Sequence, residues 1–351
     1  MRATMSLAGV LTGAALLALA AAPAEARGKR KAEPAPKLDA AAINAAEPAD
    51  QTASVQDGGK TRSALLVRAQ VLLDRARYSP GSIDGRSGEN FTGALAAFAS
   101  ANGVADGKRL TPDLWSKLST SGDPAVIEYT VTEEDAKTTF VERIPARMED
   151  QSKLERLGYV RASEMLAERF HMDEALLTTL NPGKDFAAAG TTILVANVAA
   201  MPAGKRAAKG DDAPRVTRME VDKTARRLTA FDKDGTVVGV FPASIGSGDK
   251  PAPSGTLTVK GVANDPVYTY DPKYAFKGVK AQRKFSIKPG PNNPVGVAWI
   301  DLSEDSYGIH GTAEPDKVGK AASHGCVRLT NWDVRRLAGL VERGAKVEFK
   351  D

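Results

Sequence analysis

The run Tyr307-Gly308-Ile309-His310-Gly311-Thr312, then Ser323-His324-Gly325-Cys326-Val327-Arg328-Leu329, brings the chain's single cysteine together with two of its three histidines. A thiol attacks carbonyl carbon only as thiolate. A nearby imidazole supplies a proton acceptor and, once protonated, a charge that draws a cysteine pKa of about 8.5 toward neutrality. The chemistry expected at Cys326 is therefore acyl transfer. Two plainer readings compete with it. An isolated cysteine packs as a small hydrophobe and histidines close turns. One thiol and two imidazoles also ligate zinc, but the spacing lacks the Cys-x-x-Cys or His-x-x-x-His pairs of such sites, and no metal is expected. The composite motif outweighs both.

Working outward, Arg218 to Val221, Arg227 to Phe231 and Val237 to Phe241 alternate or run apolar around the turn Asp232-Lys233-Asp234-Gly235, which predicts hairpin strands. Further strands are expected at Gly255 to Val259, Val297 to Leu302, Gly308 to His310 and Lys346 to Phe349, with one helix at Asn331 to Arg343. The C-terminal part is thus mostly β.

These residues carry a resemblance. Pro253-Ser254-Gly255-Thr256, Gly290-Pro291-Asn292-Asn293-Pro294-Val295-Gly296 and the two motifs quoted first together resemble the L,D-transpeptidase catalytic domain, over about Arg215 to Phe349. The resemblance implies Cys326 as nucleophile and His310 as its base, with the Gly311 carbonyl orienting the second ring nitrogen of His310. The Gly325 and Cys326 amides, with His324 nearby, are the candidate oxyanion donors. Gly325 permits the tight turn that presents them. Ser323 either holds His324 by a hydrogen bond or caps the turn. Arg328 and Tyr307 are the candidate substrate-binding residues, and the planar fork of Arg328 suits either a stem carboxylate or a bracing role. Tyr268, Tyr270, Tyr274 and Phe276 fall where the family places a lid, and either line a groove or pack within the loop.

Upstream, Leu65, Leu66, Ala69, Leu72 and Leu73 recur at helical spacing, Tyr78-Ser79-Pro80-Gly81 turns the chain, Ala94, Leu95 and Phe98 mark a second helix, and Pro112 to Leu118 a third. With Ile83-Asp84-Gly85, this pattern resembles the three-helix peptidoglycan-binding domain. It lacks the glutamine usual near Ala99. Residues 150–198, with helix starts at Ser163 and Asp173, Asn181-Pro182-Gly183 and the strand Thr192 to Val195, resemble a degenerate LysM module, though without the usual Gly-Asp before its first helix. His171 falls between those helices and is read as a packed or exposed side chain, not a ligand.

The N-terminus, Met1-Arg2, an apolar run from Ala8 to Ala22 and Ala24-Glu25-Ala26, has the layout of a secretory signal peptide. No later segment is apolar enough to span a membrane. Export exposes thiols to oxidation, and a lone cysteine has no partner within its own chain. The net charge of +5 and pI near 9.1 permit nucleic-acid binding, but export and the lack of a matching motif argue against it; anionic wall polymers are the expected neighbours.

The expected organisation is therefore a signal peptide (1–26), a disordered linker (27–60), a peptidoglycan-binding-like helical module (61–122), a LysM-like α+β module (150–198), a linker (199–213) and a mainly-β catalytic domain (214–351). That last domain should have β-sandwich-like mixed sheets and a C-terminal helix. The resemblance implies a periplasmic or wall-associated transpeptidase that needs no cofactor. It would form a thioester on a peptidoglycan tetrapeptide stem, release the terminal D-alanine and pass the acyl group to an amine of another stem. Partners are stem peptides, glycan strands and, among family members, a lipoprotein acceptor. The alternatives are an L,D-carboxypeptidase or endopeptidase-like hydrolase using the same thioester, and a non-catalytic wall-binding scaffold.

Overall fold

Helix begins inside a stretch whose composition predicts none. The computed structural model describes residues 38–48, 61–199, 201, 214–247, 250–274, 279–321, 323 and 325–351. Ala40–Ala45 (α1) lies within the expected disordered linker and corrects that expectation. Asp39 caps the helix, Ile43 is fully buried, and the Asn44 carboxamide pairs with both the N–H and the C=O of Val126 at 2.9 Å. One aliphatic side chain and a two-way pairing to a strand edge order this turn, where mean composition does not register them. The expected signal peptide, Phe276, His324 and most of 199–213 lie outside the described residues.

Ala64–Arg75 (α2), Glu89–Ala101 (α3) and Pro112–Leu118 (α4) pack around Leu73, Leu95 and Leu114. The Ser63 and Thr111 side chains accept from the amides three residues on, and Pro112 opens α4, where its missing N–H costs nothing. Gln70 is buried and organises the Ile83-Asp84-Gly85 turn, its Oε1 accepting from the Asp84 and Gly85 amides at 3.1 and 2.7 Å.

The other face of α2 serves a second core. Val67 and Val71 pack with residues of Val126–Thr130 (β1), Ala162–Arg169 (α7), Glu174–Leu180 (α8) and Thr192–Ala196 (β2), beside the short helices Glu133–Ala136 (α5) and Met148–Gln151 (α6). Strands β1 and β2 pair antiparallel, Val126 opposite Ala196. The partner of β2 thus comes from upstream of residue 150, across a span in which α5 and α6 are single turns.

The catalytic region is a mixed sheet of nine strands. Val216–Asp222 (β3), Arg227–Phe231 (β4) and Val237–Pro242 (β5) form antiparallel hairpins, and Ser244–Ile245 (β6) lies at the far edge of the sheet. Gly255–Asn264 (β7) is long enough to pair twice. Its first half pairs with the C-terminal strand, and its second half with Ala298–Leu302 (β10). Tyr268–Tyr270 (β8) and Phe285–Ile287 (β9) form a separate hairpin.

Gly308–His310 (β11) pairs antiparallel with β10 and parallel with Val327–Arg328 (β12). Asn331–Leu340 (α9) follows, capped by Thr330, and ends three residues short of the expected Arg343 because Val341–Lys350 (β13) joins the sheet between β3 and β7. Met219, Val221, Leu228, Ile300, Ile309 and Val327 form one core with Val334 and Leu337 of α9.

The upstream segments dock on this sheet through backbone hydrogen bonds. The Ser79 amide donates to Val240, the Leu157 amide to Pro289 and the Asn292 amide to Leu157. At Gly290 a β-carbon would stand 2.1 Å from the Leu157 carbonyl oxygen, so only glycine allows this approach.

Candidate active site

Alternation along two neighbouring strands builds the site. In the β11–β12 register Ile309 lies opposite Val327, and His310 opposite Arg328. Ile309 and Val327 point into the core, which turns His310 and Arg328 onto the other face; Cys326, in the bend that leads into β12, lies near enough to feel the Arg328 charge. Their strands are adjacent although sixteen positions separate His310 from Cys326 in sequence.

The His310 ring is buried, its Nδ1 2.7 Å from the Gly311 carbonyl oxygen. A carbonyl only accepts, so Nδ1 carries the ring proton and Nε2 a lone pair. Trp299, directly opposite on β10, stacks on the imidazole with centroids 5.5 Å apart and 18° between planes. Gly308 makes room for that indole, since a β-carbon there would lie 2.4 Å from it. Burial, reinforced by the Arg328 charge, pushes His310 down to about 3.

The Cys326 thiol is partly exposed and donates to the Ser306 carbonyl at 3.6 Å. Burial raises its pKa above the ordinary thiol value, against the opposing pull of a Gly308 amide hydrogen bond and the charges of Arg328 and Lys250. This corrects the expectation of a thiol drawn toward neutrality. An imidazole that stays neutral down to about pH 3 contributes no positive charge, so the resting pair is thiol plus neutral imidazole.

Gly325, at φ +105°, sits against the Tyr307 ring. The Ser323 hydroxyl donates to the Cys326 carbonyl and its amide to Gly246, so Ser323 caps the turn and ties it to β6. The Tyr307 hydroxyl donates to Pro251 at 3.4 Å. Arg328 is partly buried; its Nε has no hydrogen-bond partner among the described residues, and burial lowers the guanidinium pKa.

Of the aromatics at 268–276, Tyr270 is buried and stacks on Phe285, Tyr274 donates to Asp305 at 2.7 Å, and burial, with a smaller contribution from nearby Cys326, raises the Tyr268 phenol. His171 is packed away from these groups, paired with Asp74 at 2.8 Å and stacked on Trp332. Among the described residues no cluster of His, Cys, Asp and Glu is arranged to hold a metal ion. Trp299 and Ser306 escape the motif. The one signal for Trp299 is a large aromatic at a non-core position of β10, and for Ser306, at φ +68°, there is none.

Residues 217–349 match the YkuD family model, described as the L,D-transpeptidase catalytic domain. A Bacillus licheniformis protein bearing the name L,D-transpeptidase YkuD is 29% identical over 188 residues, 53% of this chain and 92% of its own length. YqjB of Bacillus subtilis, also named an L,D-transpeptidase, is 32% identical over 137 residues, 37% of this chain and 69% of its own. Among solved structures, L,D-transpeptidase 3 from Mycobacterium tuberculosis aligns with a TM-score of 0.33 at 19% identity, covering 39% of this chain and 61%, less than two thirds, of that one. The chain belongs to the YkuD family of L,D-transpeptidases.

Proposed function

We propose that the chain is an exported cysteine acyltransferase acting on peptidoglycan stem peptides. The observation that carries this is the pairing of His310 with Arg328 across adjacent strands, Cys326 being the residue before the second strand, with the His310 Nδ1 proton held by the Gly311 carbonyl. The thiol turns from the Ser306 carbonyl toward the imidazole. Sulfur adds to the carbonyl carbon of the amide before the terminal D-alanine while its proton passes to His310 Nε2. The Gly325 and Cys326 amides, with His324, receive the oxyanion. The carbon–nitrogen bond then breaks, the imidazolium returns the proton to the departing amine, and a thioester remains. An amine of a second stem attacks it, losing a proton to His310, and the returning thiolate takes that proton back.

Because both resting groups are neutral, proton transfer accompanies attack; no standing ion pair precedes it. The guanidinium of Arg328, with Nε unpartnered, suits the stem carboxylate, and Tyr307 and Tyr268 wall the approach. The segments at 61–122 and 150–198 hold the enzyme on glycan, the signal peptide exports it, and a lipoprotein amine is a second acceptor class. Cys326→Ala incubated with defined muropeptides tests the reading by mass spectrometry. Undiminished joined stems would end it, and hydrolysed stems alone from the parent enzyme would make water the acceptor.

A further inference from the structure

Five residues past the nucleophile, Asn331 opens α9 at 1% exposure, with all four hydrogen-bonding positions of its carboxamide filled. Oδ1 accepts from the Thr312 amide at 3.1 Å and the Val297 amide at 3.2 Å. Nδ2 donates to the Pro291 carbonyl at 3.0 Å and to Glu168 Oε2 of α7 at 2.9 Å. Two donors face the oxygen and two acceptors face the nitrogen, so a flipped amide would meet like with like at every contact.

Helix capping does not require this asparagine, because the Thr330 hydroxyl already accepts from the Asp333 amide. The chain nevertheless clears space for it. A β-carbon on Gly296, at φ +62°, would lie 2.1 Å from Asn331 Oδ1, and one on Gly311 2.2 Å. The run from Gly290 to Gly296, to which the reaction assigns no step, supplies one of the four contacts, through Pro291, and one of the two clearances, at Gly296.

The Thr312 N–H and the Gly311 C=O are two ends of one peptide group. That group is planar, so a hydrogen bond holding its N–H sets the direction of its C=O. The preceding residue is glycine, which by itself resists rotation least. A donor engaged at the N–H end also polarises the carbonyl as an acceptor. The Gly311 oxygen aimed in this way is the one 2.7 Å from His310 Nδ1.

We infer that Asn331 is a positioning residue for acyl transfer: its Oδ1 holds the Gly311–Thr312 peptide plane, whose carbonyl keeps the His310 proton on Nδ1 and leaves Nε2 bare for the thiol. Glu168 steadies the other end of the carboxamide from outside the sheet. The inference rests on His310 being the base.

The test uses the full chain labelled with 15N-histidine and long-range 1H–15N spectra at pH 7, with His310 assigned by its loss in His310→Gln. The parent should show Nδ1 protonated and Nε2 bare; the opposite tautomer would overturn the inference without any Asn331 variant. Asn331→Ala should mix the tautomers and lower kcat about tenfold or more, a part of what general-base catalysis supplies, with KM little changed. The double variant N331D/E168Q keeps both Oδ1 contacts and exchanges donor for acceptor at the Glu168 contact, losing only the hydrogen bond to Pro291. It should restore the parent tautomer and part of kcat.

An unchanged tautomer in folded Asn331→Ala, or a mixed one in the double variant, refutes the positioning role. If Asn331→Ala fails to melt cooperatively, the double variant decides alone. A His310→Gln enzyme with undiminished kcat would instead remove the base assignment while leaving the tautomer result standing, so the two failures are distinguishable.

Discussion

Replacing Glu168 with glutamine should reshape how stability depends on pH. The carboxylate accepts from the Tyr159 hydroxyl at 2.7 Å and from the Asn331 amide at 2.9 Å. Burial outweighs both and, with the Glu164 charge, raises the group to about 7 from an ordinary 4.5, against the opposing pull of Arg335. A carboxyl whose folded-state pKa is raised contributes stability below its unfolded pKa and loses it as pH rises through the folded value. The window is therefore about pH 4.5 to 7. At about 1.4 kcal/mol per unit, the full shift amounts to at most about 3.5 kcal/mol, or about 6 °C in Tm for a unit of roughly 300 residues. Glutamine cannot ionise and should abolish that component. Thermal melts of parent and Glu168→Gln at half-unit steps from pH 4 to 8.5 supply the measurement. The parent curve should fall away from the variant curve as pH rises past about 4.5 and run parallel to it once pH is well above 7. Parallel curves throughout, or a gap that opens on acidification, would refute the assignment of a buried, proton-holding carboxyl.

Three further outcomes are expected. Alkylation of Cys326 by iodoacetamide should keep accelerating with pH to beyond about 8.5, because burial raises the thiol; a plateau beginning below pH 7 would mean a preformed thiolate. Gly308→Ala puts a β-carbon 2.4 Å from the Trp299 indole, displaces that ring and should lower kcat about tenfold by unseating His310, with turnover measured on stem peptides and unaltered kcat counting against the stack. Ile43→Ala should cost about 2–4 kcal/mol in urea unfolding, since the side chain is fully buried in the second core; an unchanged midpoint would show that the turn does not pack.

Much of the catalytic region is legible in the sequence because its signals are local. Gly308–His310 alternates apolar and small residues before a turn, and the strand there has the expected limits. Helix spacing likewise marks α2 to within a residue or two and α4 at both ends, whereas Ala94, Leu95 and Phe98 mark only the middle of α3. Elsewhere the signal is not local. Composition averages over Ile43 and hides α1. The stripe Leu65, Leu66, Ala69, Leu72 and Leu73 shows one face of α2, whereas Val67 and Val71 acquire meaning only once a second core lies against them. The strand that completes β2 comes from 126–130, a pairing that periodicity does not encode.

Residue identity alone determines that this chain carries one thiol, two histidines near it in sequence, and glycines where the backbone must turn tightly, because these are matters of side-chain type and short spacing. The protonation of that pair belongs to the tertiary structure. Depth of burial sets the free energy of a charge, and burial here keeps both His310 and Cys326 neutral at rest. The packing likewise decides that Asn331 spans from α7 to the peptide group beside His310, since a contact across 163 positions exists only once the chain has folded.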